Sequence, residues 1–348
     1  MSDKIKIMLV EDSAIVLAIL KKILSKRQEI DIIATAKNGV ECLEILKTQK
    51  PDVICTDLMM PVMDGLELTK RIMSTNPIPI LVISSALSEN ETNVFQLLQA
   101  GALEVFPKPS IASEKEYDSI SEKLFSKIKI LKSIPVFKKT AYTHETSKFP
   151  ALNVTKTIPK QSKMEFLVIG GSTGAPNAFQ KILSKLPSDF PLPVICIQHI
   201  SEGFIDSMVS WLAINSKLKI KIMEEGETPK PGFVYFPKNM KHIGIDKSLR
   251  LTIPEDPPYH GHIPSVNVAF QYFAKLFGKT TIAVILTGMG DDGANGILSI
   301  KQMGGITIGE DESTAVVYGM PRVAKELGAL TYHLPLDKIP EKIISSLI

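Results

Sequence analysis

Short apolar runs alternate with stretches of helical periodicity along most of this chain, and the alternation restricts the fold more than any other feature. The first part of the chain has five runs of strand length, at residues 5–10, 31–35, 53–56, 80–84 and 103–106. Helical stretches lie between these runs. Regular alternation of strands and helices favours a parallel sheet with helices on both faces. We therefore predict an α/β domain with a five-stranded parallel sheet.

Polar side chains stand at the carboxyl ends of these predicted strands, where functional groups collect in such sheets. In chain order they are Glu11, Asp12, Asp57, Ser84 and Lys108. Three carboxylates at one edge repel one another unless a cation lies between them, and their oxygens suit Mg²⁺. A carboxylate can also accept a phosphoryl group as a nucleophile. Taken singly, each residue is more typical of a solvated carboxylate or a surface lysine than of a functional site. Taken together, on successive strand ends in order, they favour a functional site.

At these residues the segment resembles the receiver domain of two-component response regulators. The matching runs are residues 11–13 (EDS), 57–65 (DLMMPVMDG), 84–86 (SSA) and 108–109 (KP). The resemblance implies a flavodoxin-like receiver domain over residues 1–133. It also implies phosphorylation of Asp57, with a histidine kinase as the phosphodonor.

The same resemblance implies the roles of the polar edge. Mg²⁺ would be bound by the acidic residues and by one backbone carbonyl, from Glu11, Asp12, Asp57 and Met59. Ser84 and Lys108 would be the receiver's switch residues. One departure is Val105, which stands three positions before the lysine, where such receivers often carry an aromatic switch residue.

Residues 134–162 lose all periodicity and are rich in lysine, proline, serine and threonine. This composition is typical of an extended linker between domains. The lysines could instead hold an acidic surface of a partner or of the receiver. We predict a linker here, followed by a second domain over residues 163–348.

The second domain begins with an apolar run, residues 166–169, that stops at two glycines and presents Ser172. Residues 170–174 fit G-x-S-x-G, a turn that exposes a serine nucleophile while backbone N–H groups face a developing oxyanion. The same glycines could cradle a phosphate at a helix N-terminus. They could also do no more than close a tight turn. This motif alone does not decide between the three.

Two further apolar runs, residues 192–198 and 280–286, read as buried strands. The first ends at His199 and the second at the loop that contains Asp291 and Asp292. Because the carboxyl ends of parallel strands converge at one edge, a hydroxyl, an imidazole and a carboxylate meet there, as a nucleophilic triad requires. Alone, the histidine is typical of a satisfied polar residue, and the Gly-Asp-Asp-Gly run of a turn or a metal loop.

Other elements complete a doubly wound, mostly parallel α/β domain. Residues 218–253 carry short alternating strands and predict an antiparallel edge or hairpin insertion. Residues 265–277 predict an amphipathic helix with Ser265 as its N-cap. His260 and His262 could be metal ligands, but no acidic or cysteine partner lies at a usual spacing.

With these motifs in order, the second domain resembles the catalytic domain of the bacterial chemotaxis protein-glutamate methylesterase (CheB) family. The matching runs are residues 169–174 (IGGSTG), 197–200 (IQHI), 286–294 (LTGMGDDGA) and 316–321 (VVYGMP). The resemblance implies a triad of Ser172, His199 and Asp292, because the family's aspartate directly precedes the glycine. Thr173 and Met289 would lie beside the oxyanion. Esterase chemistry of this kind needs no cofactor.

Three residues depart from the family's pattern: Ser201, Ile263 and Asn267. The first stands where a proline usually follows the histidine motif. The other two stand where an arginine and an aspartate are common. These departures leave the triad intact and bear on how a substrate docks.

Composition excludes several other classes. A net charge of +3 is too small for nucleic acid to be the main partner. No apolar segment approaches the roughly 20 residues that span a bilayer, so we expect no membrane insertion. Cys42, Cys55 and Cys196 have no metal-binding or redox spacing and are read as buried, reduced packing residues. We expect a cytoplasmic monomer.

The resemblance implies a phosphorylation-activated serine esterase that removes methyl groups from glutamyl esters on chemoreceptor helices and deamidates receptor glutamines. We expect the receiver to cover the Ser172 edge until Asp57 is phosphorylated. The competing class is a non-enzymatic signalling adaptor whose glycine loop binds a nucleotide phosphate or nothing.

Overall fold

The computed structural model of the 348-residue chain describes residues 4–85, 91–109, 114–138 and 163–347. The chain divides into two compact units, Met1–Ser147 and Lys148–Ile348. Most of the expected linker lies outside the described residues, so the linker and the boundaries that it sets stay predictions. In the described ranges no helix is both long enough and apolar enough to cross a membrane.

The first unit contains a five-stranded parallel sheet. Its strands, β1–β5, are Ile5–Val10, Ile30–Ala36, Val53–Thr56, Ile80–Ser84 and Glu104–Pro107. Its helices, α1–α5, are Ala14–Ser25, Gly39–Ile45, Gly65–Thr75, Glu91–Ala100 and Glu114–Lys132. The strand order is β2-β1-β3-β4-β5, and each neighbouring pair is parallel. The predicted flavodoxin-like sheet is confirmed.

Three helices of this unit begin at a capping side chain. Ser13, Asn38 and Asp64 each accept a hydrogen bond from the backbone N–H three residues later. Such caps satisfy N–H groups that the first helical turn leaves free. Ser13 follows Glu11 by two residues. Asp64 follows Asp57 by seven, and the next residue, Gly65, donates its N–H to the Leu58 carbonyl (2.8 Å), which ties the start of α3 to the loop after Asp57.

The second unit contains a larger parallel sheet and a small antiparallel pair. Its strands, β6–β14, are Phe166–Gly171, Val194–Gln198, Lys219–Ile222, Phe233–Phe236, Gly244–Ile245, Leu251–Thr252, Thr281–Ile285, Ile306–Glu310 and Tyr332–Leu334. Its helices, α6–α11, are Ala175–Leu183, Ile205–Ile214, Val266–Phe277, Ala294–Gln302, Met320–Glu326 and Ile339–Ser345. Seven strands pair in the order β14-β13-β12-β6-β7-β9-β8. The expected mostly parallel α/β domain with an antiparallel hairpin is confirmed.

The hairpin is smaller than the sequence pattern indicates. Among the strands of the described residues, β10 and β11 form the one antiparallel pair, whereas β9 pairs in parallel with both β7 and β8. The loop between β8 and β9 is long enough for the chain to return along the sheet before β9 begins. Strands β8 and β9 therefore extend the parallel sheet and do not form a hairpin. The sequence did not predict this, because the alternation of apolar and polar residues does not indicate strand direction.

Strand β6 lies at the point where the chain changes its direction of travel across the sheet, with β7 on one side and β12 on the other. Helix α8 packs closely on β6, since a Cβ atom at Gly170 would lie 2.1 Å from Val266 Cγ1. Phe166 and Phe273 also pack edge to face, with ring centroids 5.2 Å apart. These contacts hold the N-terminus of α8 at the carboxyl ends of the central strands, where such folds bind ligands.

Candidate functional site

The carboxyl ends of β6, β7 and β12 bring three distant loops together. Backbone hydrogen bonds continue past the strand ends: Ser172 N–H donates to the Thr287 carbonyl (3.0 Å), and His199 N–H donates to the Gly171 carbonyl (3.1 Å). The predicted convergence of serine, histidine and aspartate loops is therefore present in the fold. The loop positions follow from the parallel pairing of the three strands.

His199 and Asp292 form a short, buried hydrogen bond. His199 Nε2 lies 2.6 Å from Asp292 Oδ2, and the two side chains are only 8% and 1% exposed. The adjacent Asp291 points elsewhere, since its Oδ1 lies 3.1 Å from His260 Nδ1. Of the two neighbouring aspartates, Asp292 is thus the one that contacts the imidazole.

The N-terminus of α8 surrounds the Asp292 carboxylate with donors. Ser265 Oγ donates to Oδ1 (2.8 Å), Val266 N–H to Oδ2 (2.8 Å) and Asn267 N–H to Oδ1 (2.9 Å). Burial alone would raise the pKa of Asp292, but the hydrogen bonds and the His199 imidazole outweigh it and hold that pKa below its usual range. The site therefore maintains a permanent negative charge at this position.

Ser265 is the site residue that sequence reasoning placed but did not interpret. It is the predicted N-cap of α8, and its Oγ accepts the Val268 N–H (3.1 Å) while it donates to Asp292. A helix N-terminus is a ready anion site, so the signal was present in the cap itself. The missing information was which anion the helix faces, and this depends on the packing of α8 against β6.

Ser172 lies partly exposed at the start of α6. Gly174, with φ of 81°, makes the turn into the helix. The Ser172 carbonyl accepts hydrogen bonds from Ala175 N–H (3.0 Å) and from Gln198 Nε2 (2.9 Å). Gln198 Nε2 also donates to the His199 carbonyl (2.8 Å). This buried amide, which the sequence did not identify, ties the serine loop to the histidine loop.

The remaining ring nitrogen of His199 is free for a proton. His199 Nδ1 is buried and has no hydrogen-bond partner among the described residues, so Ser172 Oγ is not bonded to it. Catalytic hydrogen bonds are often formed only when substrate is bound. Within this part of the chain the imidazole is held at one nitrogen and open at the other.

The Gly288–Met289 turn lies directly beside Ser172. A Cβ atom at Gly288 would be 2.8 Å from Ser172 Cβ. The turn is fixed because Gly288 N–H donates to the Val317 carbonyl (3.0 Å) and the Gly288 carbonyl accepts from Met320 N–H (2.8 Å). The Met289 side chain is half exposed. This places the Met289 backbone at the mouth of the site.

A buried threonine and glutamate network supports this turn, and no sequence pattern pointed to it. Thr287 N–H donates to Glu310 Oε2 (2.8 Å), and Thr287 Oγ1 donates to the carbonyl of Thr173, which is itself buried (2.9 Å). Thr314 Oγ1 donates to Glu310 Oε1 (3.1 Å). Burial raises the pKa of Glu310. Since the Thr287 carbonyl also accepts the Ser172 N–H, this network holds the backbone of the serine loop in place.

Asn267, one of the three departures, does not line the surface. Its side chain is buried, and Oδ1 accepts the Gly296 N–H (2.6 Å) at the start of α9. It therefore joins α8 to α9 instead of contacting a substrate. Ile263 is partly exposed beside the site. Within the described ranges, the one compact group of three possible metal ligands is Glu11, Asp12 and Asp57, in the first unit.

The polar edge of the first unit assembles as the sequence predicts. The ligand atoms of its three carboxylates lie within 4.8 Å of one another. Lys108 Nζ lies 2.7 Å from Asp57 Oδ2 and 3.1 Å from Glu11 Oε2. The carbonyl of Ser84, a buried residue, accepts the Lys108 N–H (2.9 Å), so these two residues are held on neighbouring strands.

The charges of this edge are poorly compensated. Burial raises the pKa of both Asp57 and Glu11, and Asp57 raises that of Glu11 further. Burial alone would lower the pKa of Lys108, but its contacts with the two carboxylates raise it. One lysine thus faces three acidic residues. Hard carboxylate oxygens in this arrangement fit a divalent cation such as Mg²⁺.

The aromatic switch residue is absent from its usual position in the described fold as well. Val105 and Phe106 on β5 are both buried.

Two histidines of the second unit have structural partners. His333 Nε2 bonds the Tyr318 hydroxyl (2.8 Å), and His242 Nδ1 accepts the Ser265 N–H (3.1 Å). The three cysteines are buried and unpaired, as predicted.

Comparisons with known proteins match both units of the chain to known families. A family model for the CheB methylesterase matches residues 167–343, and one for the response regulator receiver domain matches residues 7–116. Relatives from Nitrosospira multiformis and Clostridium acetobutylicum are both named protein-glutamate methylesterase/protein-glutamine glutaminase. They are 35% and 37% identical to this chain over 96% and 98% of its length and 95% and 97% of their own.

A solved structure supports the fold of the second unit. The crystal structure of the Thermotoga maritima CheB methylesterase catalytic domain is 39% identical to this chain, with a TM-score of 0.51. It covers 52% of this chain and 98% of that one. The likeness therefore concerns the unit that carries the serine, histidine and aspartate loops.

Proposed function

The chain belongs to the CheB methylesterase family and carries a response regulator receiver domain, and on this premise we propose that Ser172, His199 and Asp292 are its catalytic triad. It is a protein-glutamate methylesterase by family. The observation that carries the triad is the 2.6 Å contact between His199 Nε2 and Asp292 Oδ2, at the strand end next to the Ser172 loop.

Asp292 determines which nitrogen acts as the base. An ionised carboxylate only accepts, so the neutral imidazole carries its proton on Nε2 and leaves Nδ1 as the acceptor. In the serine protease arrangement the two nitrogens have the opposite assignment. In the triad proposed here, Nε2 contacts the aspartate and Nδ1 receives the Ser172 proton.

The reaction proceeds in two acyl-transfer steps. Ser172 Oγ attacks the ester carbonyl carbon while its proton moves to His199 Nδ1. The tetrahedral intermediate collapses, the proton passes to the methoxy oxygen, and methanol leaves. A water molecule then gives a proton to Nδ1, and its oxygen attacks the acyl-enzyme carbonyl carbon. The bond between that carbon and Ser172 Oγ breaks, the proton passes from Nδ1 to Oγ, and the glutamate side chain is released. Backbone N–H groups of Met289 and Thr173 are the proposed donors to the oxyanion.

The proposed substrates are glutamyl methyl esters on the cytoplasmic helices of chemoreceptors. The relatives' names also include a glutaminase activity. We extend this to the present chain because an amide differs from the ester only in its leaving group: ammonia departs in place of methanol. The same three residues would serve both reactions.

The receiver is proposed to control this activity. Asp57 Oδ attacks the phosphorus atom of a phosphohistidine on the kinase, and the P–N bond breaks to leave the kinase imidazole. Lys108 and the Ser84 hydroxyl contact the transferred group. Glu11, Asp12, Asp57 and the Met59 carbonyl would hold Mg²⁺, which when bound neutralises charge on the phosphoryl oxygens. The unphosphorylated receiver is proposed to restrain the esterase, and phosphorylation releases it.

Replacement of the nucleophile tests the esterase. Ser172→Ala should lower methanol release from methylated receptor membranes by at least about 1,000-fold, since the residue carries the covalent step. An acyl-enzyme-forming ester should label the wild-type protein at Ser172. Ser184→Ala, at the other end of α6, is the matched control and should keep the wild-type rate. Unchanged methanol release from Ser172→Ala would contradict the triad.

Metal removal tests the receiver separately. A small phosphodonor with Mg²⁺ should raise the rate of methanol release, and EDTA should remove this increase while it leaves the basal rate unchanged. Asp57→Asn should behave as the wild type does in EDTA. Stimulation that persists in Asp57→Asn would place the phosphorylation site elsewhere.

A further inference from the structure

A short turn beside the site presents a second histidine to the base. Residues 259–262, here called the histidine turn, form a two-residue hairpin in which Tyr259 and His262 exchange backbone hydrogen bonds (3.3 and 2.9 Å). The two central residues, His260 and Gly261, have φ of 48° and 84°. Positive φ at both positions is the type I′ turn, which His260 adopts against the usual steric preference.

The histidine turn is attached to the loop that carries Asp292. His260 Nδ1 lies 3.1 Å from Asp291 Oδ1, and Asn295 Nδ2 donates to the Tyr259 hydroxyl (3.2 Å). The Tyr259 and His260 rings also stack, with centroids 4.3 Å apart. These contacts hold an exposed turn in one place and give Asp291 a use distinct from that of its neighbour.

His262 lies face to face with His199. The ring centroids are 4.1 Å apart and the ring planes differ by only 7°. Asp292 holds one edge of the His199 ring, and His262 covers one face. An edge contact alone leaves a ring free to rotate about it, whereas a parallel neighbour at stacking distance restricts that rotation. Together they define the plane in which Nδ1 points.

We propose that His262 is a positioning residue for His199, and that the stacked pair takes up protons as one coupled unit. The inference rests on the proposed function, since it assigns a role within the same triad. Two imidazoles 4.1 Å apart cannot both become charged without repulsion. A proton on His262 therefore opposes the protonation of His199 that serine attack requires.

The surrounding charges leave this coupling intact. Asp292 Oδ2 contacts the edge of the His199 ring at Nε2. On the histidine turn, His260 faces the Asp291 carboxylate, at 3.1 Å, and not the base. His242 is the other histidine near α8, and burial lowers its pKa and keeps it neutral. Among these groups, His262 is the one whose protonation acts directly on the base.

Two substitutions at residue 262 separate the face contact from the charge. His262→Phe keeps an aromatic face and cannot be protonated, whereas His262→Ala removes both. At alkaline pH we expect kcat of His262→Ala to fall by about 10-fold or more from a misplaced base, and that of His262→Phe to stay within about 3-fold of wild type. Thermal unfolding and active-site labelling should confirm that both variants are folded.

The pH profile carries the second readout. On the acid side, log kcat/KM of the wild type should fall with a slope of one and then, at lower pH, of two, because repulsion separates the two proton-binding steps of the pair. In His262→Phe the slope should be one. His333→Phe, a matched change on β14, should keep the wild-type plateau and slope.

Two results would overturn the inference: a wild-type plateau in His262→Ala, or a wild-type slope in His262→Phe. Failure of the proposed function is distinguishable from either, because the wild type itself would then release no methanol and show no label at Ser172.

Discussion

Two buried aspartates stand at strand ends of the two parallel sheets, and their surroundings shift their acidity in opposite directions. Burial raises the pKa of Asp57, which receives hydrogen bonds from Leu58 N–H and Lys108 Nζ, both at 2.7 Å. Burial would raise the pKa of Asp292 as well, yet His199 and three donors from the start of α8 lower it. The difference lies in the number of donors and in the nearby charges.

This contrast separates a charge that the fold maintains from one that the fold leaves uncompensated. Asp292 has four donors and no acidic residue in its hydrogen-bond shell. Asp57 shares its pocket with Glu11 and Asp12. A fixed carboxylate suits the role proposed for Asp292, which is to orient an imidazole throughout turnover. A destabilised one suits the role proposed for Asp57, which is to bind a cation and then to form a bond with a phosphoryl group.

The largest expected effect breaks the fixed charge. Asp292→Asn should lower kcat for methanol release by about 1,000- to 10,000-fold, because an amide no longer fixes the proton on His199 Nε2. Asp291→Asn is a matched change one residue away, and it should cost far less, since that carboxylate contacts His260 and not the base. Equal losses in the two variants would show that Asp292 has no special role.

The sequence was sufficient for the parts of this site that depend on strand order. Parallel strands that end in Ser172, His199 and the Asp291–Asp292 pair predict one polar edge, because their carboxyl ends converge. The separation of Asp292 from Asp291 came from a resemblance to a family and not from spacing. Only the packing of α8 on β6 shows why one carboxylate is held and its neighbour is free.

Other parts depend on contacts between segments that are far apart in sequence. Gln198, whose amide bridges two carbonyls, and Glu310, whose carboxylate is buried, are each the last residue of a strand. Their partners are backbone groups that any residue type offers, so no motif marks them. The sequence also did not predict that β8 and β9 pair in parallel, because apolar and polar residues alternate in the same way in parallel and antiparallel strands.

A smaller effect tests the uncompensated charge. Because the folded-state pKa of Asp57 is raised, its charged form costs stability at pH 7, and that cost disappears as pH falls through the raised pKa. Asp57→Asn should therefore stabilise the first unit in EDTA by about 1 to 2 kcal/mol, the size of an ordinary single substitution. Hydrogen exchange of peptides from β1 and β3 measures it.

Asp292 should show the opposite sign. Its lowered pKa means that the charge contributes stability at every pH above the unfolded value and is lost only as pH falls through the folded one. Asp292→Asn should thus destabilise the second unit at pH 7, as read from the fluorescence of Trp211, the only tryptophan of the chain.

Mg²⁺ provides a control for the first unit. In excess Mg²⁺ the stability gained by Asp57→Asn should be smaller, since a bound cation would stabilise the wild-type pocket. Stabilisation by both substitutions would remove the contrast between the two carboxylates.

The smallest effect concerns the loops that follow the two aspartate strands. Val62 is 85% exposed and has φ of 69°, a conformation that costs a β-branched residue roughly 1 to 2 kcal/mol. Gly290, in the loop before Asp292, has φ of 81°, and an added Cβ there would meet no atom within 4 Å. Both residues adopt the left-handed backbone conformation, which is strained for Val62 and unstrained for Gly290.

Exchanging the residue types should change stability in opposite directions. Val62→Gly should stabilise the first unit by about 0.5 to 1 kcal/mol, which is the relieved strain less the entropy that glycine loses on folding. Gly290→Val should destabilise the second unit by about 1 to 2 kcal/mol through the conformation alone. Hydrogen exchange measures the first change, and the urea midpoint of Trp211 fluorescence measures the second. A loss of protection in Val62→Gly would mean that its side chain makes contacts that outweigh the strain, and that the loop after Asp57 is not held at the expense of stability.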